Sequence, residues 1–186
     1  MRIISGILKG RTINYTKNSN TRPLKDSVKE NIFNVLKHSK LIKVRVEDSN
    51  ILDLYSGVGS FGIEAISRKA EKVTFIEQDI KAANILRSNL DKLSVIDKSK
   101  IFNSKIENII NDKIKEKFQI IFIDPPFADN EYIKNLELIK KNKIFKRDHI
   151  VIIHREKKTN DDFKNNLKIL ETRNYGRSKI LFALFS

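Results

Sequence analysis

The pattern of hydrophobic and polar positions changes at about residue 50, and from there on it predicts strands alternating with helices. Short apolar runs are followed by longer segments in which apolar residues recur at helical spacing. Strands are predicted at 51–55, 72–77, 101–103, 118–123 and 150–154, and helices at about 61–69, 79–94, 106–115 and 130–141. This alternation is typical of an α/β protein whose parallel sheet has helices on both faces.

The last twenty residues show a different pattern. Two apolar segments, 167–172 and 179–185, are joined by Asn174-Tyr175-Gly176 with no helix between them. Strands joined by a short turn are antiparallel neighbours. The sequence therefore predicts that an antiparallel strand is added to a mostly parallel sheet.

The first 26 residues also fall outside the alternating pattern. "RIISGILKGRTINYT" predicts two short strands that turn at Gly6 or at Lys9-Gly10, which is a β-hairpin. A helix is predicted to follow, with Asp26 or Ser27 as its N-cap. We expect one domain over residues 1–186, with 1–26 as a hairpin extension and 27–186 as the core.

Composition favours a polyanionic partner. The chain has 186 residues and a formal net charge of +14, which indicates nucleic acid, although a general bias toward Lys, Ile and Asn could also produce it. There are no cysteines, and the three histidines lack ligand spacing. No segment has the length of a membrane span or the apolar core of a signal peptide. We therefore expect a cytoplasmic protein with no metal.

A glycine-rich loop follows the first strand of the alternating series. Gly57, Gly59 and Gly62 fit G-x-G-x-x-G, and Glu77 ends the next strand twenty residues after Gly57. In the dinucleotide-binding fingerprint, such glycines allow close approach of a ligand and the acid accepts from ribose hydroxyls. The motif alone is weak, because many nucleoside-binding α/β folds share it.

Asp53 narrows the choice of ligand. It ends the strand that leads into the glycine loop, where it would repel the pyrophosphate of a nicotinamide cofactor. A ligand with an ammonium and a sulfonium, such as S-adenosylmethionine, suits that carboxylate better. The alternative for Asp53 is a helix or turn cap, and the alternative for Glu77 is a solvated strand end.

The segment "FIDPPFADN" ends the predicted strand 118–123 with an acid and two prolines. The prolines stiffen the backbone and donate no hydrogen bonds. The Asp124 carboxylate and the Pro125 carbonyl could then accept from the hydrogens of an exocyclic base amine, while Phe127 stacks on a base taken out of its helix. Catalysis would come mostly from positioning. The alternative is an ordinary proline turn with a buried phenylalanine.

The glycine loop together with Asp124-Pro125-Pro126-Phe127 resembles the amino-directed, S-adenosylmethionine-dependent methyltransferases. "RIISGILKGR", "TRPLKDSVKENIFN" and "NYGRSKILFALF" resemble, more narrowly, the bacterial 16S rRNA guanine-N2 methyltransferases, and the resemblance covers essentially the whole chain. It implies a Rossmann-like methyltransferase fold with a mostly parallel seven-stranded sheet, helices on both faces and a small N-terminal β-hairpin. The protein would be a monomer, and its partner would be the 16S rRNA of the small ribosomal subunit or of an assembly intermediate.

The resemblance also implies roles for individual residues. The catalytic residues would be Asp124, Pro125, Pro126 and Phe127. The residues that bind S-adenosylmethionine would be Asp53, Tyr55, Ser56, Gly57, Gly59, Glu77, Gln78 and Ser104. The residues that face RNA would be Arg2, Lys9, Arg11 and Arg22.

Two positions depart from the family pattern. Lys105 stands where the family has an Asp or Asn that meets the adenine amino group, and lysine cannot accept that hydrogen bond. Leu24 replaces the threonine of Arg-Pro-Thr. Three other functions are therefore kept as alternatives: a DNA adenine-N6 methyltransferase that uses the same loop, a nicotinamide-dependent oxidoreductase, and an RNA-binding ribosome assembly factor with weak or no catalysis.

Overall fold

The computed structural model describes residues 1–15, 24–163 and 166–186. The helices are α1 Asp26–His38, α2 Ser60–Ser67, α3 Ile80–Lys92, α4 Ile106–Asp112 and α5 Tyr132–Asn142, with a 3-10 turn at Ile96–Lys98. The strands are β1 Asn50–Leu54, β2 Lys72–Glu77, β3 Ser99–Asn103, β4 Phe118–Ile123, β5 Phe145–Glu156, β6 Leu167–Tyr175 and β7 Ser178–Phe185.

The strands form one seven-stranded sheet in the order β3-β2-β1-β4-β5-β7-β6. The pairs from β3 to β5 are parallel, and β7 runs antiparallel to both of its neighbours. The predicted α/β class and the added antiparallel strand are confirmed. The order of the strands reverses between β1 and β4. From β1 the chain continues outward through β2 and β3 on one side, and it then returns to β4 on the other side of β1. Ligands of open α/β sheets bind at such a switch point, beyond the carboxyl ends of the strands.

Helices cover both faces of the sheet, and alternation along the strands explains why. In β4, Ile120 and Phe122 pack with α1, α2 and α3, whereas Ile121 and Ile123 pack with α4 and α5. All four side chains are buried. Central parallel strands therefore read as continuous apolar runs, which made them easy to predict.

Several element boundaries differ from the predictions, and two of the differences have a clear physical reason. Strand β5 begins at Phe145 rather than at 150, because Phe145 pairs with Phe118 across a register shift while the charged residues 146–148 stay exposed. Helix α1 has Lys25, not Asp26 or Ser27, at its N-cap position, and no side chain caps it. Asp26 is instead the first helical residue, where its charge suits the helix dipole.

The N-terminal segment folds back on itself as predicted. Its arms are joined by an antiparallel bridge between Arg2 and Thr12 and by further backbone hydrogen bonds. A buried acid is one of its attachments to the core. Glu64 of α2 accepts hydrogen bonds from the amides of Ile4 and Ser5 at 2.7 and 3.0 Å. The segment is therefore fixed to the helix that the glycine loop begins.

Candidate active site

Three carboxylates lie at the carboxyl edge of the sheet, the edge at which β1, β2 and β4 end. Asp53 stands in register with Phe75 of β2 and Phe122 of β4, and Glu77 is the last residue of β2. The Asp124 amide donates to the Leu54 carbonyl at 3.5 Å. Because these strands are neighbours at the switch point, the expected clustering of Asp53, Glu77 and Asp124 is observed.

Asp53 is buried and caps the first turn of α2. Its side chain accepts a hydrogen bond from the Gly62 amide at 3.0 Å, and the residue is 1% exposed. Burial raises the pKa of Asp53 well above its usual value, and the charges of Asp124 and Glu77 raise it further, against the opposing Gly62 hydrogen bond. Asp53 therefore does act as a helix cap, the alternative role that the sequence analysis gave it. A cationic ligand beside this carboxyl would favour its charged form.

The glycine loop is held by Glu77 and open at Gly57. The Glu77 carboxylate accepts from the amides of Gly57 at 2.7 Å and of Asp79 at 2.8 Å. Gly57 has φ of +55°, and no atom lies within 4 Å of the position that a Cβ would take. At Gly62, by contrast, a Cβ would lie 2.2 Å from the Phe75 ring. One glycine thus leaves room for a ligand, and the other allows helix α2 to pack on β2.

A cleft of about 420 Å³ opens beside this loop, within the range of about 300–1,000 Å³ usual for small-molecule sites. Of the residues predicted to bind a cofactor, four line it, Tyr55, Glu77, Gln78 and Ser104. Lys105 lines it as well. Burial and the nearby Asp129 carboxylate raise the pKa of Tyr55, whose hydroxyl accepts from Asn135 at 2.9 Å.

The residues around the cleft fit S-adenosylmethionine. The buried Ser56 hydroxyl has no hydrogen-bond partner among the described residues, so a polar ligand atom could satisfy it. The open side of Gly57 gives space for a ligand, and Glu77 offers further acceptor capacity to ribose hydroxyls. At Gly59, a Cβ would lie 2.4 Å from Leu86, so this glycine also lets the loop pack against α3.

The sequence reasoning missed Asn103, the last residue of β3. Its side-chain amide donates to the carbonyls of Glu77 at 2.9 Å and of Gln78 at 3.2 Å. Asn103 therefore fixes the backbone that carries the cleft-lining acid. A polar residue at the end of the third strand was the available signal.

The Asp-Pro-Pro-Phe loop, residues Asp124–Phe127, leaves the same edge of the sheet. The Asp124 carboxylate contacts His154 Nδ1 at 2.8 Å. His154 Nε2 lies 2.9 Å from the Ser178 hydroxyl, and the Phe127 ring meets the imidazole edge-on at a centroid distance of 5.8 Å. The acid and the aromatic residue of the loop thus share one neighbour.

Arg155 of β5 holds the second half of the loop, Pro126 and Phe127, by hydrogen bonds to its backbone. Its guanidinium donates to the carbonyls of Pro126 at 3.1 Å and Phe127 at 3.2 Å, and to Asp161 at 3.0 Å. It also lies 4.6 Å from the centre of the Tyr132 ring, and the residue is only 1% exposed. Arg155 thus bonds two carbonyls of the loop, and the Asp129 amide donates to the Pro126 carbonyl as well, at 2.8 Å.

His154 and Arg155 were not predicted as site residues. The sequence carried one signal for them: two adjacent polar residues continue the apolar strand "IVII". Their partners lie about thirty residues away along the chain, so no local pattern could identify those contacts.

Three of the residues predicted to face RNA, Arg2, Lys9 and Arg11, are exposed on the N-terminal segment. Arg2 is exposed and lies 3.9 Å from Asp26, at the start of α1. The turn that carries Lys9 bonds to Ser67 at the end of α2, and the Arg11 guanidinium donates to the carbonyl of Lys92 at the end of α3. Those helix ends lie at the opposite edge of the sheet from Asp124. Arg22 lies outside the described residues.

Other features of the described part of the chain add little to this site. A more open cleft of about 690 Å³ separates the end of α1 from β6, away from the strand-end carboxylates. No helix among the described residues is long and apolar enough to span a bilayer. No cluster of three or more potential metal ligands occurs in the same residues.

Comparison with known proteins gives a consistent result. A family model described as conserved hypothetical protein 95 matches residues 1–184. "Ribosomal RNA small subunit methyltransferase D" of Haemophilus influenzae is 33% identical over 84% of this chain and 79% of its own length. The protein of the same name in Buchnera aphidicola is 35% identical over 84% and 78%.

A solved structure of a candidate methyltransferase from Escherichia coli superposes with a TM-score of 0.83, at 25% identity, over 100% of this chain and 98% of its own. Its agreement over the full length confirms the Rossmann-like methyltransferase fold. The chain therefore belongs to the conserved hypothetical protein 95 family, the family of these small-subunit ribosomal RNA methyltransferases, as its motifs predicted.

Proposed function

We propose that this protein transfers a methyl group from S-adenosylmethionine to the exocyclic N2 amine of a guanine in 16S rRNA. The observation that carries the proposal is the Asp-Pro-Pro-Phe loop, held at the carboxyl edge of the sheet beside a cleft that fits the cofactor. The names of the relatives support ribosomal RNA as the substrate. The choice of guanine rests on the family resemblance, since other base amines offer the same hydrogens.

The cofactor would be held by the glycine loop and the cleft. The proposed set is Asp53, Tyr55, Ser56, Gly57, Gly59, Glu77, Gln78 and Ser104. S-adenosylmethionine supplies, when bound, an electrophilic methyl group on a sulfonium. The half-buried Glu77 would place negative charge near that cation, which is favourable at short range. The cation would in turn favour the charged form of the buried Asp53.

The loop would orient the base. Asp124 and the Pro125 carbonyl accept from the two amine hydrogens, and this turns the nitrogen lone pair toward the methyl group. Pro126 and Phe127 have their carbonyls bound to Arg155, so the loop is fixed before substrate arrives. The half-buried Phe127 ring offers a stacking surface to a flipped base.

The net charge of +14 supports a polyanionic substrate bound largely through phosphate contacts. We include Arg2, Lys9, Arg11 and Arg22 in the RNA-facing surface, with residues 1–26 as an extension of the catalytic core 27–186. Lys9 and Arg11 lie far from Asp124, so they would contact a distant part of a large substrate. A cytoplasmic monomer acting on the small subunit or its assembly intermediate is part of the same proposal.

The test combines one variant with two substrates. Purified protein is incubated with methyl-labelled cofactor and either small-subunit particles lacking the modification or duplex DNA, and the nucleosides are identified by mass spectrometry. N2-methylguanosine in the RNA is expected. N6-methyladenine in DNA would instead establish the alternative methyltransferase, and RNA binding without methyl transfer would establish the assembly factor.

The Asp124→Ala variant tests the loop. Loss of hydrogen bonds from a charged acceptor, about 1.5–3 kcal/mol, should lower turnover about 10- to 150-fold while cofactor affinity stays close to normal. Asp112→Asn is the matched control, because that exposed carboxylate ends α4 at the opposite edge of the sheet. Near-normal turnover in Asp124→Ala would remove Asp124 from the mechanism.

A further inference from the structure

His154 lies between the proposed acceptor and a serine of a different strand. Its Nδ1 is 2.8 Å from Asp124 Oδ1, its Nε2 is 2.9 Å from Ser178 Oγ, and the residue is 7% exposed. We propose that His154 is a positioning residue that fixes one oxygen of Asp124 and leaves the other for the base amine. This inference rests on the proposed function, because it assigns His154 a role through Asp124.

The direction of the hydrogen bonds follows from the chemistry of the partners. An ionised carboxylate only accepts, so the contact with Asp124 requires the proton to be on Nδ1. In the neutral ring Nε2 is then an acceptor, and the Ser178 hydroxyl can donate to it. Ser178 is thus compatible with the tautomer that Asp124 selects.

The strand holds the imidazole in place. His154 is paired with Ile180 in the middle of the β5–β7 ladder, so its backbone cannot shift without breaking the sheet. Asp124, in contrast, is the first residue after β4, and its side chain is 23% exposed. The buried donor therefore restricts the more mobile acceptor. Fixing a reacting group within a fraction of an ångström is what positioning catalysis requires.

The same imidazole touches the proposed stacking surface. The Phe127 ring meets it at an interplanar angle of 80° and a centroid distance of 5.8 Å, an edge-to-face arrangement that is favourable for aromatic pairs. His154 therefore sets the position of Asp124 relative to Phe127. The exocyclic amine of a base lies in the plane of the base ring. The acceptor of the amine and the ring that stacks on the base therefore need a fixed relative position, and contacts from His154 to both would provide it.

Three variants separate the hydrogen bond from the packing. His154→Phe keeps a ring beside Phe127 but removes the donor, and we expect turnover to fall about tenfold, with KM for RNA and affinity for S-adenosylhomocysteine each changed less than twofold. His154→Asn, whose amide nitrogen can take the place of Nδ1, should recover most of that loss. His38→Phe, on the exposed end of α1, should have no effect.

A measurement on the unsubstituted protein makes the proposal testable even if His154→Phe does not fold. The chain has three histidines, so nitrogen-15 NMR of the imidazoles can be assigned with single variants. The Nδ1-protonated form is expected for His154, with a shift toward the other tautomer in Asp124→Ala, which removes the acceptor. A neutral His154 protonated on Nε2, or unchanged turnover in a folded His154→Phe, would overturn the inference.

These outcomes are distinguishable from failure of the proposed function. If Asp124→Ala keeps normal turnover, the role of the loop itself is wrong. If Asp124→Ala is impaired and His154→Phe is not, only the role of His154 is wrong.

Discussion

Replacing Arg155 with methionine should destabilise the whole fold, not only the Asp-Pro-Pro-Phe loop. The guanidinium is buried and pairs with Asp161, whose side chain is 5% exposed. Burial by itself would raise the pKa of Asp161, but hydrogen bonds from Tyr132 and Thr159 and the charge of Arg155 outweigh it, so the pKa is lowered. The ionised form of Asp161 is therefore stabilised by its partners.

The expected cost can be worked out from those partners. Removing one member of a buried ion pair typically costs about 3–5 kcal/mol. Lys179 remains 3.3 Å from Asp161, and methionine fills most of the volume, so we expect the lower value, about 3 kcal/mol. For a chain of this size that is a fall in Tm of about 6–12 °C.

Urea unfolding followed by circular dichroism measures this cost, provided that the m-value does not change. Arg147→Met is the matched control, since Arg147 lies exposed in the same strand and should cost less than about 0.5 kcal/mol. The double variant with Asp161→Asn should lose at least about 1 kcal/mol less stability than the sum of the losses in the two single variants. A cost below about 1 kcal/mol for Arg155→Met, or strict additivity, would refute the reasoning.

Two further substitutions test the elements that surround the glycine loop. Asp53→Asn should equal the unsubstituted protein in thermal stability below about pH 4 and exceed it at pH 8. The reason is that a carboxyl whose folded-state pKa is raised loses its stabilising contribution as pH rises through that pKa; a variant that melts lower at pH 8 contradicts this. Gly62→Ala would place a Cβ 2.2 Å from the Phe75 ring and should cost about 1–3 kcal/mol in urea unfolding, whereas a neutral effect would mean that β2 and α2 can separate.

The carboxyl edge of the sheet was predictable from the sequence because its logic is local. Asp53 lies near the end of β1, Glu77 ends β2 and Asp124 directly follows β4, and parallel strands end at a common edge. No long-range contact had to be known to bring the three acids together. The same locality explains why the predicted bounds of β1, β2 and β4 agree with the structure to within one residue.

The supports of the site were not predictable, because they depend on pairing between distant elements. His154 and Arg155 belong to the fifth strand, and nothing in "IVIIHRE" shows that one side chain reaches Asp124 and the other reaches Pro126. Likewise, a helical glutamate such as Glu64 reads as a solvated charge, yet it is fully buried and bonded to the N-terminal segment. Tertiary contacts overrode the usual expectation for charged residues.

Buried charges add to a few backbone hydrogen bonds at both irregular parts of this fold. The Asp-Pro-Pro-Phe loop has two residues without an amide, and the N-terminal segment has one β-bridge in its described part. Neither forms a long ladder. The Arg155 guanidinium bonds carbonyls of the first, and the Glu64 carboxylate bonds amides of the second. Buried pairs are screened little by salt, whereas exposed lysines and arginines are screened strongly. The geometry of the site is therefore insulated from the ionic conditions that control binding of a polyanion to its surface.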